Sequence, residues 1–154
     1  MTLTLEDRIA LQDLMTKYAY YVDVECSENE FLDLFTEDAI IDSPMAGRYE
    51  GVEGVKRFRL ERILAKREKI QMRHVITNFL IEGDGNQATI KAYLSNSRTQ
   101  LEVPPGVEPK VEFLYTGSYG CTARKIGGKW KLAHRTGYID AQGKQGPRGK
   151  TLDK

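Results

Sequence analysis

At Gln71 the period of the apolar residues changes from helical to two, and this switch constrains the fold more than any other feature of the chain. Upstream, "TLEDRIALQDLMTKYAYYVD" predicts an amphipathic helix. Thr4 and Asp7 resemble a capping box, and Leu11, Leu14, Met15, Tyr18 and Tyr21 or Val22 recur at helical spacing. "SENEFLDLF" opens on Ser27 and Glu30, a second S-x-x-E start, and predicts a short helix closing near Phe35. "DAIIDSP" reads as a short strand stopped by Pro44, "GRYEG" as a brief extended piece, and "VEGVKRFRLERILAKREK" as a third helix. Downstream, "QMRHVITNFLIEG" and "QATIKAYLSNSRTQ" predict two strands joined by a turn at Gly83, Asp84 and Gly85. "VPPGVEP" is too rich in proline to pair. "KVEFLYTGSYGCTARK" and "KWKLAHRTGYID" are two more strands around a Gly127–Gly128 hairpin turn. Helices first and then a four-strand antiparallel meander predict an α+β domain, a curved sheet wrapped over helices. Such a sheet leaves a conical hollow, suited to small apolar ligands.

A chain of 154 residues fits one domain, 1–140, able to bury about 70% of its unfolded surface. The tail, 141–154, lacks apolar periodicity and is expected to be flexible or laid on a neighbouring subunit. Charge is balanced, 23 basic against 22 acidic residues, so no global field recruits nucleic acid or a membrane surface. No signal peptide or membrane span is visible, and Cys26 and Cys121 suggest reduced thiols, so the expectation is a cytoplasmic protein. Two Cys and two His without zinc spacing predict no metal site. Lys56 to Arg73 holds eight basic and two acidic residues, but Phe58, Ile63, Leu64 and Ile70 interrupt it at packing positions. A solvated helix face, or a partner's acidic surface, accounts for it.

His74 heads "HVITNF", and alternation puts Ile76, Asn78 and Leu80 on its face, with Val75, Thr77, Phe79 and Ile81 opposite. Both faces are apolar, so the strand is expected to be covered on both sides. His74 is then either a core imidazole with satisfied nitrogens or a base in a pocket. Asp23 ends the first helix, where the macrodipole disfavours a carboxylate. It is either solvent-exposed or compensated by a partner. A histidine would serve, since Asp can hold one ring N–H and leave the other nitrogen free. Tyr18, five residues earlier, is either a phenol donor or an aromatic of the buried stripe. His134 is assigned by alternation to the face of Trp130, Leu132, Thr136 and Tyr138, either lining the hollow or half-exposed. Arg98 and Arg135 could bind a carboxylate or enolate, although single strand arginines are usually surface residues.

"YAYYVD", "FLDLFTEDAIID", "YEGVEGVKRF", "RHVITNFLIEGDGNQATIKAYL" and "GGKWKLAHR" together resemble the SnoaL-like members of the nuclear-transport-factor-2-like superfamily, cone-shaped α+β barrels. The resemblance runs from about residue 5 to 140. It is nearest to scytalone-dehydratase-like lyases, hexachlorocyclohexane dehydrochlorinase and bile-acid 7α-dehydratase. These use an Asp–His pair, which implies Asp23 and His74 as catalytic residues. The bile-acid enzyme's tyrosine implies Tyr18 as a third. The dehydrochlorinase carries lysine at that position, so this chain departs from it. Scytalone dehydratase places a second histidine on the next strand, where this chain has "AYLSNSR". The implied activity is a cofactor-independent dehydratase-type elimination on a hydrophobic cyclic molecule such as a steroid or aromatic polyketide. Isomerisation, cyclisation or ligand binding without catalysis are the alternatives. Tyr21, Asn78, Arg98, Tyr115, Tyr119, Trp130 and His134 are the expected substrate-binding residues. The implied partner is a second copy of the chain, as a dimer or trimer.

Overall fold

The computed structural model describes residues 2–43 and 45–141; the strand stop expected at Pro44 and the tail beyond Ala141 lie outside them. Helix α1, Leu5–Asp23, starts where expected because Thr4 and Asp7 cap each other: the Thr4 hydroxyl accepts from the Asp7 N–H at 3.1 Å and the Asp7 carboxylate from the Thr4 N–H at 3.3 Å. Ser27 and Glu30 repeat the device at α2, Glu28–Asp33. That helix stops short of the expected Phe35, which instead opens strand β1, Phe35–Ser43, and packs edgewise on Tyr18. Strand β2, Gly47–Glu50, pairs back on β1. The expected third helix is not uniform. Helix α3, Gly51–Phe58, widens into a π-helical stretch, Arg59–Leu64, before a last turn, α4, Ala65–Arg67.

Strands β3 (Ile70–Gly83), β4 (Gln87–Gln100), β5 (Val111–Ile126) and β6 (Lys129–Ile139) form the meander. The sheet order is β2-β1-β6-β5-β4-β3, antiparallel except where β1 joins β6, and it stays open between its edges β2 and β3. Helix α1 packs across the concave side, where Leu11, Met15, Phe31, Ile41, Ile90 and Leu132 are fully buried.

Bulges decide which side chains reach that concave side. The β3–β4 register shifts between Thr77 and Leu80, where Asn78 takes a left-handed φ of 56°, a conformation asparagine tolerates better than most residues. Below the bulge His74 and Ile76 face inward; above it Phe79 and Ile81 do, leaving Asn78 and Leu80 exposed. The alternation expected along β3 is therefore corrected at Asn78. So is the expectation of two covered faces: Val75 and Leu80 are 54% and 55% exposed. A second shift, between Thr122 and Ala123 on β5, inserts Ala133 into β6. Trp130 and Leu132 point inward before it, Arg135, Gly137 and Ile139 after it.

Asp7 does more than cap. Its buried carboxylate accepts from the indole N–H of Trp130 at 2.9 Å and pairs with the Lys125 ammonium at 2.5 Å, tying α1 to the β5–β6 hairpin. The bonds from Lys125 and then Trp130 hold its carboxyl well below the usual carboxylate range. A depressed folded pKa gives stability that is full above the unfolded value, about 4, and is lost as pH falls toward the folded one. Asp7→Asn is accordingly expected to lower stability at neutral pH and to flatten its decline in acid. Denaturant titrations followed by fluorescence of Trp130, the single tryptophan, check this. Parallel losses in both proteins below pH 4 would count against it.

Candidate active site

The last turn of α1 carries no basic residue, so its carbonyls and the Asp23 carboxylate both need donors from elsewhere. Arg67 donates to the carbonyls of Tyr21 and Val24 at 3.1 and 2.7 Å, and Gln71 to that of Asp23 at 3.0 Å. The carboxylate itself turns to β3. It accepts from the His74 backbone N–H at 2.6 Å and meets ring Nδ1 at 2.5 Å. The two side chains are 7% and 11% exposed. Of the two readings of Asp23 the paired one is the structure's.

The other ring nitrogen is not free, contrary to expectation. Nε2 lies 2.9 Å from Nδ2 of Asn96, directly across the strand pair on β4, and the same Nδ2 is 2.8 Å from the Tyr115 hydroxyl on β5. A carboxylate only accepts, so Nδ1 carries the proton, and Nε2 accepts from the amide. Asn96 is 1% exposed, and its Oδ1 is buried without a partner among the described residues. Reversing the amide would bury two unpaired N–H groups in place of one unpaired carbonyl, so the orientation with Nδ2 between His74 and Tyr115 is the better satisfied. Because Tyr115 accepts from Asn96, its own proton remains available to the cavity beside it.

That cavity, about 430 Å³, lies between α1, the π-helical segment and the sheet. Its apolar wall includes Val22, Phe58, Ile63, Ile70, Met72 and Leu114; its polar groups include Tyr18, Asp23, His74, Arg98, Tyr115 and Arg135. Tyr18 is 1% exposed and edge-on to Tyr119 at 6.0 Å. Burial pushes its phenol well above the usual range, so it stays protonated. Burial also raises Tyr115, with the Asn96 bond pulling back. Arg98 reaches the cavity but pairs with Glu112 at 2.7 Å.

The remaining expected residues are elsewhere. Tyr21 is half-buried against the core and not part of the cavity wall. Tyr119 is buried behind Tyr18, its hydroxyl 3.3 Å from Arg135. Trp130 is in the core against Asp7, away from the cavity wall. Asn78 is exposed on its bulge. His134, turned outward by the bulge at Ala133, bonds Asp42 at 2.7 Å and Thr136 at 3.2 Å. None of these lines the cavity. Among the described residues no three His, Cys, Asp or Glu side chains converge.

Sequence reasoning missed Asn96 and left Arg135 open between a ligand contact and a surface residue. Asn96 carries a readable signal, as a polar residue in the inward register Ala88, Ile90, Ala92, Leu94. Arg135 carries none. The bulge sends it inward, 94% buried, its guanidinium over the rings of Tyr119, Tyr18 and Phe58 at 4.7, 5.2 and 5.6 Å. Arg62, Lys66 and Arg67 of the basic segment also line the cavity instead of facing only solvent.

An open curved sheet capped by helices, enclosing an apolar hollow with a paired Asp and His on its wall, defines the small-molecule pocket class of α+β cones. Within that class the chain belongs to the SnoaL-like domain family of the nuclear-transport-factor-2-like superfamily, whose family description matches residues 3–136. No curated protein matches it. Similar solved structures include a proposed aromatic ring hydroxylase from Novosphingobium aromaticivorans, 27% identical over 89% of this chain and 91% of that one, with a TM-score of 0.71. A proposed scytalone dehydratase from the same organism is 21% identical over 88% and 85%, TM-score 0.70. Hexachlorocyclohexane dehydrochlorinase LinA-type3 from Novosphingobium barchaimii is 20% identical over 88% of each chain, TM-score 0.70. At such identities the last two establish the shared fold.

Proposed function

We propose that the cavity is the active site of a cofactor-independent lyase that removes water from a hydrophobic cyclic molecule. The observation that carries the reading is the Asp23–His74 pair, joined by two short bonds on the cavity wall. Nε2 of His74 takes a proton from the carbon beside a carbonyl. The C–H electrons form the new double bond, the C–O bond to the neighbouring hydroxyl breaks, and oxygen leaves as water after taking a proton from Tyr115. Asp23 stabilises the imidazolium. Tyr18, protonated on the cavity wall, polarises the carbonyl. Asn96 must release Nε2 for the transfer, an adjustment expected between a ligand-free site and its Michaelis complex. Base catalysis of this kind supplies about 10²–10⁴-fold, with positioning in a dry pocket adding the rest.

The test is a panel of cyclic β-hydroxy ketones incubated with the protein in D2O and followed by proton NMR. Loss of water with passage of the α-proton to solvent, both absent in His74→Ala, is the expected result. Binding without turnover or exchange across the panel would favour a ligand carrier instead. A second copy of the chain remains the proposed partner. The outward faces of β3, β4 and β5 expose Val75, Tyr93, Val111 and Phe113, side chains that a second copy could cover. Sedimentation equilibrium is expected to give a dimer or trimer; a monomer at all concentrations would count against it.

A further inference from the structure

Among the described residues Arg135 is the one buried cation on the cavity wall, and none of them gives it a counter-charge. Among the described residues no carboxylate lies within ion-pair distance of it. Its oxygen partners are neutral and distant: the Asp42 carbonyl at 3.5 Å and the Tyr119 hydroxyl at 3.3 Å. Its Nε is buried with no hydrogen-bond partner among the described residues. A guanidinium has five N–H donors, and burying one without an anion is costly even when aromatic faces recover part of the loss. The nearby carboxylates are committed elsewhere. Asp42 turns its side chain outward to His134 and Arg48, and Asp23 holds His74. Arg62, Lys66 and Arg67 add positive charge to the same wall, also without ion-pair partners among the described residues.

We propose that the ligand of this cavity is a carboxylic acid, whose carboxylate is held by the guanidinium of Arg135 in the ground state. The inference rests on reading the cavity as a ligand pocket and narrows the substrate to an acidic cyclic compound. A planar carboxylate fits the guanidinium fork with two parallel bonds, and a monoanion matches one buried cation. A basic mouth above a basic floor raises the local concentration of anions and guides them inward. The acid–base pair and the anion site are then separate parts of one pocket. Arg135 anchors the substrate while His74 and Tyr115 act on its ring.

Calorimetric titration of the full chain with 2-naphthoate and its neutral isostere 2-naphthamide tests this. Wild type is expected to prefer the acid by about tenfold or more. Arg135→Met should abolish the preference while leaving 2-naphthamide unchanged, and Arg135→Lys should weaken it, since an ammonium lacks the fork. If Arg135→Met fails to fold, wild type and Arg135→Lys still decide. Equal binding of the two probes to wild type overturns the proposal. So does a preference that survives in both Arg135 variants, or one that disappears only in Lys66→Gln/Arg67→Gln, which would place the anion at the mouth. Arg135 variants that lower kcat on a neutral ketone, with equal Kd for both probes, would assign Arg135 to a transition-state oxyanion and overturn it too. Asp23→Asn separates this proposal from the catalytic one: it should keep the acid preference whatever happens to turnover.

Discussion

Asp23→Asn is expected to reduce kcat/KM by about 10²–10⁴-fold, as much as removal of the imidazole, although it replaces one atom by another. The reason lies in the direction of three hydrogen bonds. Asp23 accepts from both the backbone and the ring of His74, which fixes the proton on Nδ1. An amide there can still accept from the backbone, but it turns its NH2 toward Nδ1, which must then accept. The ring proton moves to Nε2 and meets the Asn96 amide donor. Asn96 relieves the clash only by reversing, and its carbonyl then recruits the Tyr115 hydroxyl as a donor. One substitution thus removes the lone pair of the base and ties up the proton of the acid. Breaking the buried network is expected to cost about 1–3 kcal/mol of stability, so the variant should fold. Steady-state kinetics read the first effect, and ¹⁵N shifts of the His74 ring, assigned with His134→Gln, read the second. An unchanged Nδ1–H tautomer in Asp23→Asn would refute the relay.

The parts of this site that depend on local spacing are legible in the sequence; the parts that depend on sheet curvature are not. Asp23 could be placed because a carboxylate at an uncompensated helix C-terminus needs donors, and α1 ends there as its capping box and apolar stripe require. His74 follows because a long strand begins just before it. Beyond Thr77 the reading fails, since a bulge adds one residue and turns every later side chain over. Ala133 does the same on β6, exchanging His134 for Arg135 at the cavity. Nothing local marks these bulges. They are set by the bending that wraps the strands around α1, a property of the sheet as a whole. Strict alternation therefore proposed an exposed asparagine and an outward histidine as ligand contacts and could not decide between pocket and surface for the buried Arg135. The π-helical widening at Arg59–Leu64 escaped for a related reason: its sequence is helical in either register, and packing decides between them.

Asn96→Asp should be more damaging than Asn96→Leu, although it is the smaller change in shape. Leucine removes the amide that occupies Nε2 and the orphaned Oδ1 with it. The ring keeps its bond to Asp23 and hence its tautomer, and Tyr115 loses only a donor. A loss of about tenfold is expected, from the mobility of two side chains once held at fixed distance. Stability should change little, because an unsatisfied buried carbonyl goes at the same time. A carboxylate at the same place sets a second anion against Nε2. The ring is then held between two carboxylates, and the arrangement is best satisfied when both nitrogens carry protons. An imidazolium in that state has no lone pair to accept a substrate proton, so kcat/KM should fall by about 10²-fold or more. The two variants also differ in acid. As carboxylates protonate, Asn96→Asp should recover part of its deficit relative to wild type, while Asn96→Leu should show no such recovery. Kinetics of the two across pH, with ¹⁵N shifts of His74 at each end of the range, decide the matter. Equal losses with the same pH profile would mean that Asn96 only fills space between the strands, whereas a larger, acid-reversible loss in Asn96→Asp would make it the residue that holds His74 ready as a base.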